Sequence, residues 1–228
     1  MNLLSIDTSS TSGSVAVMKN NKIKYINYQD IKITHSERLM PQIEDSLEKC
    51  KIDISAIDGV LIANGPGSFT GLRIGLATAK SICFANKIPL IPISTLKMWA
   101  ANIMGCDKNI LSILDARMDE VYIAVYNSDL ETIIEPLNCK PDSIKKLINF
   151  PVAIIGDGYE KYKNIIETLN LDYSIPPMHL NQGLADSLFS IFFKEKIKLE
   201  YDLKTMSKLQ PFYLRKSQAE MKREKKLT

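Results

Sequence analysis

The sequence predicts an α/β protein built from two related halves. Short apolar runs bounded by turn residues are typical of strands, and longer segments with helical spacing alternate with them. The second half also restarts the pattern of the first, since each opens with a strand and an aspartate turn. We place the boundary near residue 100, so the first half covers residues 1–100 and the second, more degenerate half covers residues 101–228.

The first strands predict an antiparallel meander. Leu3 to Ile6 is an apolar run typical of a buried strand, and Ser14 to Met18 alternates like a half-buried one. Lys19-Asn20-Asn21-Lys22 is a hairpin signal, and a third strand is expected over Ile23 to Tyr28.

Helical spacing begins after the meander. Leu39, Ile43 and Leu47 lie four residues apart, which predicts a helix from about Ser36. Pro41 is compatible with this helix only in its first turn, because proline lacks the N–H that an interior position needs.

Alternating helices and strands follow. The predicted elements are a strand over Gly59 to Ala63, a helix over Leu72 to Asn86 and a strand over Pro89 to Ile93. The order β-β-β-α-β-α-β is typical of a ribonuclease-H-like half of an actin-type fold, with mixed sheets flanked by helices.

The second half is predicted to repeat this order with fewer clear signals. The expected elements are a hairpin of Ile110 to Leu114 with Val121 to Tyr126, a helix over Ser143 to Asn149, a strand over Val152 to Ile155 before Gly156-Asp157-Gly158, and a helix over Leu184 to Leu199.

Composition excludes several classes of protein. Hydrophobic residues make up 45% and charged residues 24%, as in ordinary globular domains. The four cysteines form no Cys-x-x-Cys pair, and no apolar run is long enough for a membrane span, so we expect a cytoplasmic protein with reduced thiols. The net charge of +3 is concentrated at the C-terminus, where the basic tail is either solvated chain or a tRNA contact; it comprises Lys222, Arg223, Lys225 and Lys226.

The segment from Asn64 to Gly75 joins a predicted strand to a predicted helix. Its amides at Gly65, Gly67 and Ser68 could hold an anion at the helix start. The same glycines could instead only permit close backbone packing, and no Gly-Lys-Ser/Thr follows, so this is not a Walker loop.

Histidine spacing argues against a metal site. A helical metal pair needs histidines at i and i+4, and the residue four past His35 is Leu39. The other histidine, His179, has no evident partner. We therefore predict no metal, and we place His35 at the start of a helix or at an interface.

The two aspartate turns indicate a degraded nucleotide cleft. Asp7 and Thr8 keep the acid and hydroxyl of a phosphate turn, whereas Asp115-Ala116-Arg117 lacks the glycine that would let amides approach a phosphate. Asp7 and Asp115 could equally be acids that cap turns.

Small residues recur on the helix that follows. Gly71, Gly75 and Ala79 lie four apart, and such a strip lets another element approach closely. The strip could pack on the chain's own sheet or on a partner helix.

Five colinear segments resemble the TsaB (YeaZ) family, most closely in the first 130 residues. They are Leu4-Ser5-Ile6-Asp7-Thr8-Ser9, Thr34-His35-Ser36-Glu37-Arg38-Leu39-Met40-Pro41, the segment from Asn64 to Gly75, Asp115-Ala116-Arg117-Met118-Asp119-Glu120-Val121-Tyr122 and Pro211-Phe212-Tyr213-Leu214-Arg215.

This resemblance implies the actin, sugar-kinase and heat-shock ATPase fold and a non-catalytic paralogue of TsaD. With TsaD and the ATPase TsaE, such proteins serve the transfer of threonylcarbamoyl from threonylcarbamoyl-adenylate to N6 of adenosine 37, in tRNAs that read codons beginning with A. The chain would act as a dimerisation subunit, pairing with TsaD or with itself. It would hold no cofactor, since ATP is used by the complex. It would contact tRNA only through that complex, and it would bind no membrane.

The resemblance also assigns residues. It favours a partner interface on the first-half helices, formed by His35, Arg38, Leu39, Ile43, Leu72, Gly75, Leu76 and Ala79. The residual nucleotide or anion site would comprise Asp7, Thr8, Gly65, Gly67, Ser68 and Asp115.

Three other activities remain as alternatives. An active small-molecule kinase or ATPase of this fold would need glycine-rich phosphate turns in both halves. A metallopeptidase would need a His-x-x-x-His helix. A nuclease of ribonuclease-H type would need several converging carboxylates, which Asp7 and Asp58 alone do not supply.

Overall fold

The structure, a computed structural model, describes residues 1–215 and contains two five-stranded mixed sheets. The basic tail of Lys222 to Lys226 lies outside the described residues. The elements of the first half are β1 (Leu3–Asp7), β2 (Gly13–Lys19), β3 (Lys22–Gln29), α1 (His35–Cys50), β4 (Gly59–Ala63), α2 (Phe69–Asn86), β5 (Leu90–Ile93) and α3 (Thr95–Ala101).

The first sheet has the strand order β3-β2-β1-β4-β5. β1 pairs antiparallel with β2 and parallel with β4, and β4 pairs parallel with β5. Every residue of β1 and β4 is buried, as expected for central strands covered on both faces. Asn20 and Asn21 turn the β2–β3 hairpin with left-handed φ values of 53° and 60°.

The second sheet repeats this arrangement. Its elements are β6 (Asn109–Arg117), β7 (Glu120–Tyr126), β8 (Thr132–Cys139), α4 (Ile144–Leu147), β9 (Val152–Ile155), α5 (Asp157–Thr168) and β10 (Tyr173–Ser174). The order β8-β7-β6-β9-β10 places the opening strand in the middle, antiparallel to the second strand and parallel to the fourth, as in the first sheet. The predicted duplicated, actin-like α/β fold is therefore confirmed.

Two helix predictions need correction, the position of Pro41 in α1 and the length of the helix over residues 184–199. α1 begins at His35 and runs through Pro41, which therefore lies beyond the first turn. Pro41 is exposed, so the backbone carbonyl that loses its intrahelical partner is on the solvent side. The predicted helix over residues 184–199 is shorter: α6 (Ser187–Lys194) stops because Lys196 adopts a left-handed φ of 52° and the Ile197 N–H donates to the Phe192 carbonyl.

The chain returns to the first half with α6. α6 packs against α3 and β4, and a final helix, α7 (Leu203–Lys208), packs against α2. Because α6 and α7 follow residue 101 in the chain but pack on elements of the first half, the division of the chain into 1–100 and 101–228 stays a prediction.

The turn after β1 lies directly against α2. A Cβ atom at Gly67, Gly71 or Gly75 would overlap Ser9 or Thr8, and in the first two cases the overlapped atom is a backbone carbonyl oxygen. The Thr8 hydroxyl also donates to the Gly71 carbonyl at 2.8 Å. These three glycines, spaced four apart, are therefore needed for the close approach of α2 to the turn, Gly67 and Gly71 against its backbone and Gly75 against the Thr8 side chain.

Gly71→Ala should lower the free energy of unfolding by roughly 2–3 kcal/mol, because the new methyl group overlaps the Thr8 carbonyl and the backbone must move. Urea denaturation measures the change. Thr70→Ala, at the adjacent exposed position, is the control and should change stability by less than about 0.5 kcal/mol. Equal effects of the two substitutions would contradict the close contact.

Candidate functional site

The glycine-rich turn before α2 uses its own backbone donors. The Gly65 N–H donates to the Thr95 hydroxyl at 3.0 Å, and the Ser68 N–H donates to the Ser9 carbonyl at 2.6 Å. Ser68 caps α2, where its hydroxyl accepts from the Gly71 N–H at 3.3 Å. Two of the three amides predicted to hold an anion, those of Gly65 and Ser68, are thus bonded within the chain, so the geometry favours packing and capping over phosphate binding.

Asp7 lies behind this turn and is fully buried. Its Oδ1 accepts from the Ser9 N–H at 2.9 Å, whereas its Oδ2 has no hydrogen-bond partner among the described residues. Burial raises the pKa of Asp7 against the opposing hydrogen bonds from Ser9, and the charge of Asp157 adds a smaller increase, so that the pKa lies at about 6. Asp7 therefore caps a turn and also carries an unusually basic carboxylate.

Asp115 lies across from this turn, on β6. It accepts hydrogen bonds from Lys161 at 2.9 Å to each carboxylate oxygen and from the Arg117 N–H at 2.9 Å. Burial raises the pKa of Asp115, but the hydrogen bonds and charges of Lys161 and Arg117 outweigh it and leave the pKa lowered. Asp157, at the start of α5, accepts from the Asp115 N–H at 2.9 Å, so both aspartates hold local structure.

A cavity of about 460 Å³, here called the central cleft, lies between the two halves. Its walls come from residues 9–11 and 67–69 of the first half and from residues 114–117 and Lys161 of the second. Of the six predicted nucleotide or anion residues, Gly67, Ser68 and Asp115 line the cleft, and Asp7, Thr8 and Gly65 do not.

The C-terminal strap, residues 209–215, closes one side of the cleft and was not predicted to have this role. The Phe212 N–H donates to the Asn64 carbonyl at 2.7 Å, and the Asn64 side chain donates to the Gln210 carbonyl at 3.0 Å. Lys80 of α2 donates to the Leu209 carbonyl at 2.6 Å. These bonds fix the strap to the first half.

The end of the strap binds the second half. Arg215 donates to the Ala116 carbonyl at 2.7 Å and to the Glu120 carboxylate at 2.6 Å, which holds both ends of the β6–β7 turn. Tyr213 stacks on Phe69 with ring centroids 4.9 Å apart. One short segment thus contacts both walls of the cleft.

His35 and Arg38 tie the start of α1 to the β1–β2 turn. The His35 Nε2 lies 2.8 Å from the Ser10 carbonyl, and its Nδ1 lies 3.2 Å from Arg38. Arg38 is buried and donates to the Thr11 carbonyl at 2.7 Å. Burial lowers the pKa of His35, and the Arg38 charge adds to this effect although the Ser10 carbonyl opposes it. The neutral ring, donating from Nε2 and accepting at Nδ1, satisfies both contacts.

The sequence is similar to known proteins over most of its length. The family model for TsaD, described as tRNA N6-adenosine threonylcarbamoyltransferase, matches residues 27–221. The tRNA threonylcarbamoyladenosine biosynthesis protein TsaB of Bacillus subtilis is 30% identical, with 97% of each chain covered. The protein of the same name from Haemophilus influenzae is 29% identical over 94% of each chain.

The chain belongs to the TsaB family. The structure of YeaZ from Pseudomonas aeruginosa has the same fold, with a TM-score of 0.75 and 24% identity over 93% of this chain and 99% of that chain.

The eight predicted interface residues of this TsaB family member lie mostly inside its own core. Leu39, Ile43, Leu72, Leu76 and Ala79 are at most 5% exposed, and Gly75 presses on Thr8. The partner role of these residues stays a prediction, but a substitution at Gly75 would act first on this chain's own packing.

The residues on the outward faces of α1 and α2 are not the eight predicted interface residues. An apolar groove of about 870 Å³ runs between the two helices. Met40 is 43% exposed on the α1 side, and Ala77, Ser81 and Ala85 lie four apart and exposed on the α2 side. The small side chains leave room for another helix to approach closely.

Other candidate features are absent from residues 1–215. Within this range no three His, Cys, Asp or Glu residues lie close enough together to share a metal ion, and His179 lies in a separate 3-10 turn. No helix in the same range has the length and apolarity to cross a bilayer. The four cysteines are free thiols.

Asp7→Asn should stabilise the fold at neutral pH. The pKa of Asp7 rises from its ordinary 3.8 to about 6 on folding, so the stability it contributes is present below about pH 4 and is lost as the pH rises through 6. The loss amounts to roughly 3 kcal/mol, and we expect the uncharged amide of the variant to recover about 1–3 kcal/mol at pH 8 and little at pH 4.

Urea denaturation across this pH range measures the difference from wild type. Asp172→Asn, at a carboxylate whose side chain is 67% exposed, is the control and should show no such gain. A pH-independent effect of Asp7→Asn would contradict the raised pKa.

Arg215→Ala should release the strap from the second half. We expect a loss of about 1–3 kcal/mol in unfolding free energy, because charged hydrogen bonds to Glu120 and to the Ala116 carbonyl disappear. Amide hydrogen exchange in residues 116–120 should accelerate. Lys194→Ala removes an exposed pair with Asp129 and should cost less than about 1 kcal/mol. Unchanged amide hydrogen exchange in the β6–β7 turn would show that Arg215 does not hold this turn.

Proposed function

We propose that this chain is a non-catalytic subunit of the machinery that forms threonylcarbamoyladenosine in tRNA. It pairs in the cytoplasm with a TsaD-like catalytic subunit, works with a TsaE-like ATPase and meets tRNA through that complex. Threonylcarbamoyl transfer to N6 of adenosine 37, in tRNAs reading codons that start with A, then depends on the chain without its hydrolysing ATP or holding a cofactor.

One observation supports this proposal: the residues that a catalytic cleft of this fold would use form bonds within the chain itself. The Gly65 and Ser68 amides of the glycine-rich turn donate within the chain, and Asp115 is paired with Lys161. His35 bonds Ser10 and Arg38. The kinase or ATPase alternative requires phosphate donors at that turn, and two of the three predicted amides are already bonded, which makes it the weaker candidate.

The outward faces of α1 and α2 are the surface on which the TsaD-like subunit docks. The TsaD family model spans residues 27–221, which include both helices, so we expect the catalytic relative to contain an equivalent helix pair. Two such pairs can pack together where side chains are as small as Ala77, Ser81 and Ala85. Glu44, Glu48 and Asp53 line the same groove and would favour a partner that presents cations at the rim.

Ala77→Arg should weaken binding to the cognate TsaD-like subunit at least tenfold, since the long side chain fills the groove. The melting temperature should change by no more than about 2 °C, because position 77 is exposed. Asn164→Arg, on the exposed face of α5, is the matched control and should leave binding unchanged. Isothermal calorimetry provides the affinities, and unaltered binding of the Ala77 variant would place the interface elsewhere.

Reconstitution tests the function itself. Threonylcarbamoyladenosine in tRNA is measured by mass spectrometry with the TsaD-like and TsaE-like proteins, with and without this chain. We expect product only when the chain is present, less with Ala77→Arg and full yield with Asn164→Arg. Equal product without the chain, or product from the chain alone, would overturn the proposal.

A further inference from the structure

Phe69, Arg73 and Tyr213 form a partly exposed cluster at the start of α2, here called the rim cluster. The rings of Phe69 and Tyr213 stack, and the Arg73 guanidinium carbon lies 3.8 Å from the centroid of the Phe69 ring. The Arg73 Nε donates to the Tyr213 hydroxyl at 3.0 Å. The three side chains are thus held in one geometry before a partner binds, which lowers the entropy cost of a contact there.

Arg73 keeps hydrogen-bond donors for a partner. Its side chain is exposed, and within residues 1–215 only its Nε donates a hydrogen bond. None of the ion pairs in that range involves Arg73. A guanidinium can give its two terminal amino groups to one carboxylate in a bidentate contact. Arg73 does not line the central cleft, so these donors serve a surface outside it.

The rim cluster continues the apolar groove between α1 and α2 and gives its two ends opposite charges. Ala77, which lines the groove, lies one helical turn after Arg73 on the same face of α2. The helices begin side by side, since a Cβ atom at Gly71 would lie 3.3 Å from His35. Glu48 and Asp53, which also line the groove, therefore lie toward its far end. From Arg73 to the end of α2 the helix rises about 20 Å.

We propose that the rim cluster is a second contact for the subunit that docks in the groove, and that this subunit presents a carboxylate to Arg73. The same subunit presents a cation to Glu48 and Asp53, about 20 Å farther along the groove. Opposite charges at the two ends select one direction of a docked helix, because the reversed helix would place like charges together. This inference rests on the groove being the docking surface proposed above.

The contact at Arg73 also strengthens the hold of the strap on the second half. Tyr213 lies two residues before Arg215, which donates to Glu120 and to the Ala116 carbonyl. The hydrogen bond from Arg73 to Tyr213 is exposed, and a docked subunit that covers it excludes the competing water. Docking therefore favours the state in which the strap is bound at both ends. By thermodynamic linkage, loss of the Arg215 contacts weakens docking by the same factor.

Calorimetric titration of the full chain with the cognate TsaD-like subunit tests the contact. Arg73→Gln should weaken binding at least about tenfold, and Arg73→Glu should weaken it at least about threefold further, because the new carboxylate repels the one on the subunit. Both variants should melt within about 4 °C of wild type, since Arg73 is exposed. Lys163→Gln removes a charge on α5 whose side chain is 49% exposed, and this control should leave the affinity unchanged.

Amide hydrogen exchange of the full chain follows the strap. Addition of the subunit should slow exchange in residues 116–120 at least about threefold in wild type and leave it unchanged in Arg215→Ala, which should also bind the subunit about threefold more weakly. Equal slowing in Arg215→Ala and wild type would show that the subunit touches this turn directly, and it would overturn the linkage through the strap.

Three outcomes separate this inference from the proposed function. Wild-type affinity of the Arg73 variants, together with weak binding of Ala77→Arg, would overturn the inference and leave the groove as the docking surface. Unchanged subunit affinity with weaker tRNA binding by the assembled complex would also overturn it, because Arg73 would then contact RNA. Failure of the wild-type chain to bind the subunit would overturn the proposed function and this inference with it.

Discussion

The contact between the turn after β1 and the start of α2 is the constraint on which the rest of the structure depends. Backbone meets backbone there, with the Ser68 N–H donating to the Ser9 carbonyl at 2.6 Å and the Thr8 hydroxyl donating to the Gly71 carbonyl at 2.8 Å. Only glycine fits at positions 67, 71 and 75, because any Cβ atom would overlap Thr8 or Ser9. The position of α2 over the first sheet follows from this contact.

α2 has three separate surfaces, one against the turn after β1, one against the strap and one facing outward. Its glycine side presses on Thr8, Arg73 and Lys80 bind the strap, and Ala77 with Ser81 faces outward. The apolar groove between α1 and α2 and one wall of the central cleft are therefore formed by the same helix. A partner bound to the outer side would meet a helix whose inner side is fixed by contacts with both the first sheet and the strap.

Sequence patterns predicted the parts of the fold that have strong local signals. β1 and β4 are apolar runs, and Asn20-Asn21 tolerates the left-handed turn between β2 and β3. β8 was missed because it is a partly exposed edge strand that contains Pro136 and no apolar run. α3 was missed because nearly all of its residues are buried, which removes the amphipathic spacing of a surface helix.

The site was harder to predict, because its contacts join distant residues. The glycine-rich segment is evident in the sequence, but its purpose depends on Thr8 and Ser9, about sixty residues earlier. Arg215 donates to Glu120, which lies 95 residues earlier in the sequence. The strap also bears on biosynthesis. Residues 209–215 leave the ribosome after both sheets, so the two halves of a nascent chain remain unclamped until this segment has been made, and the cleft forms only after both sheets are present.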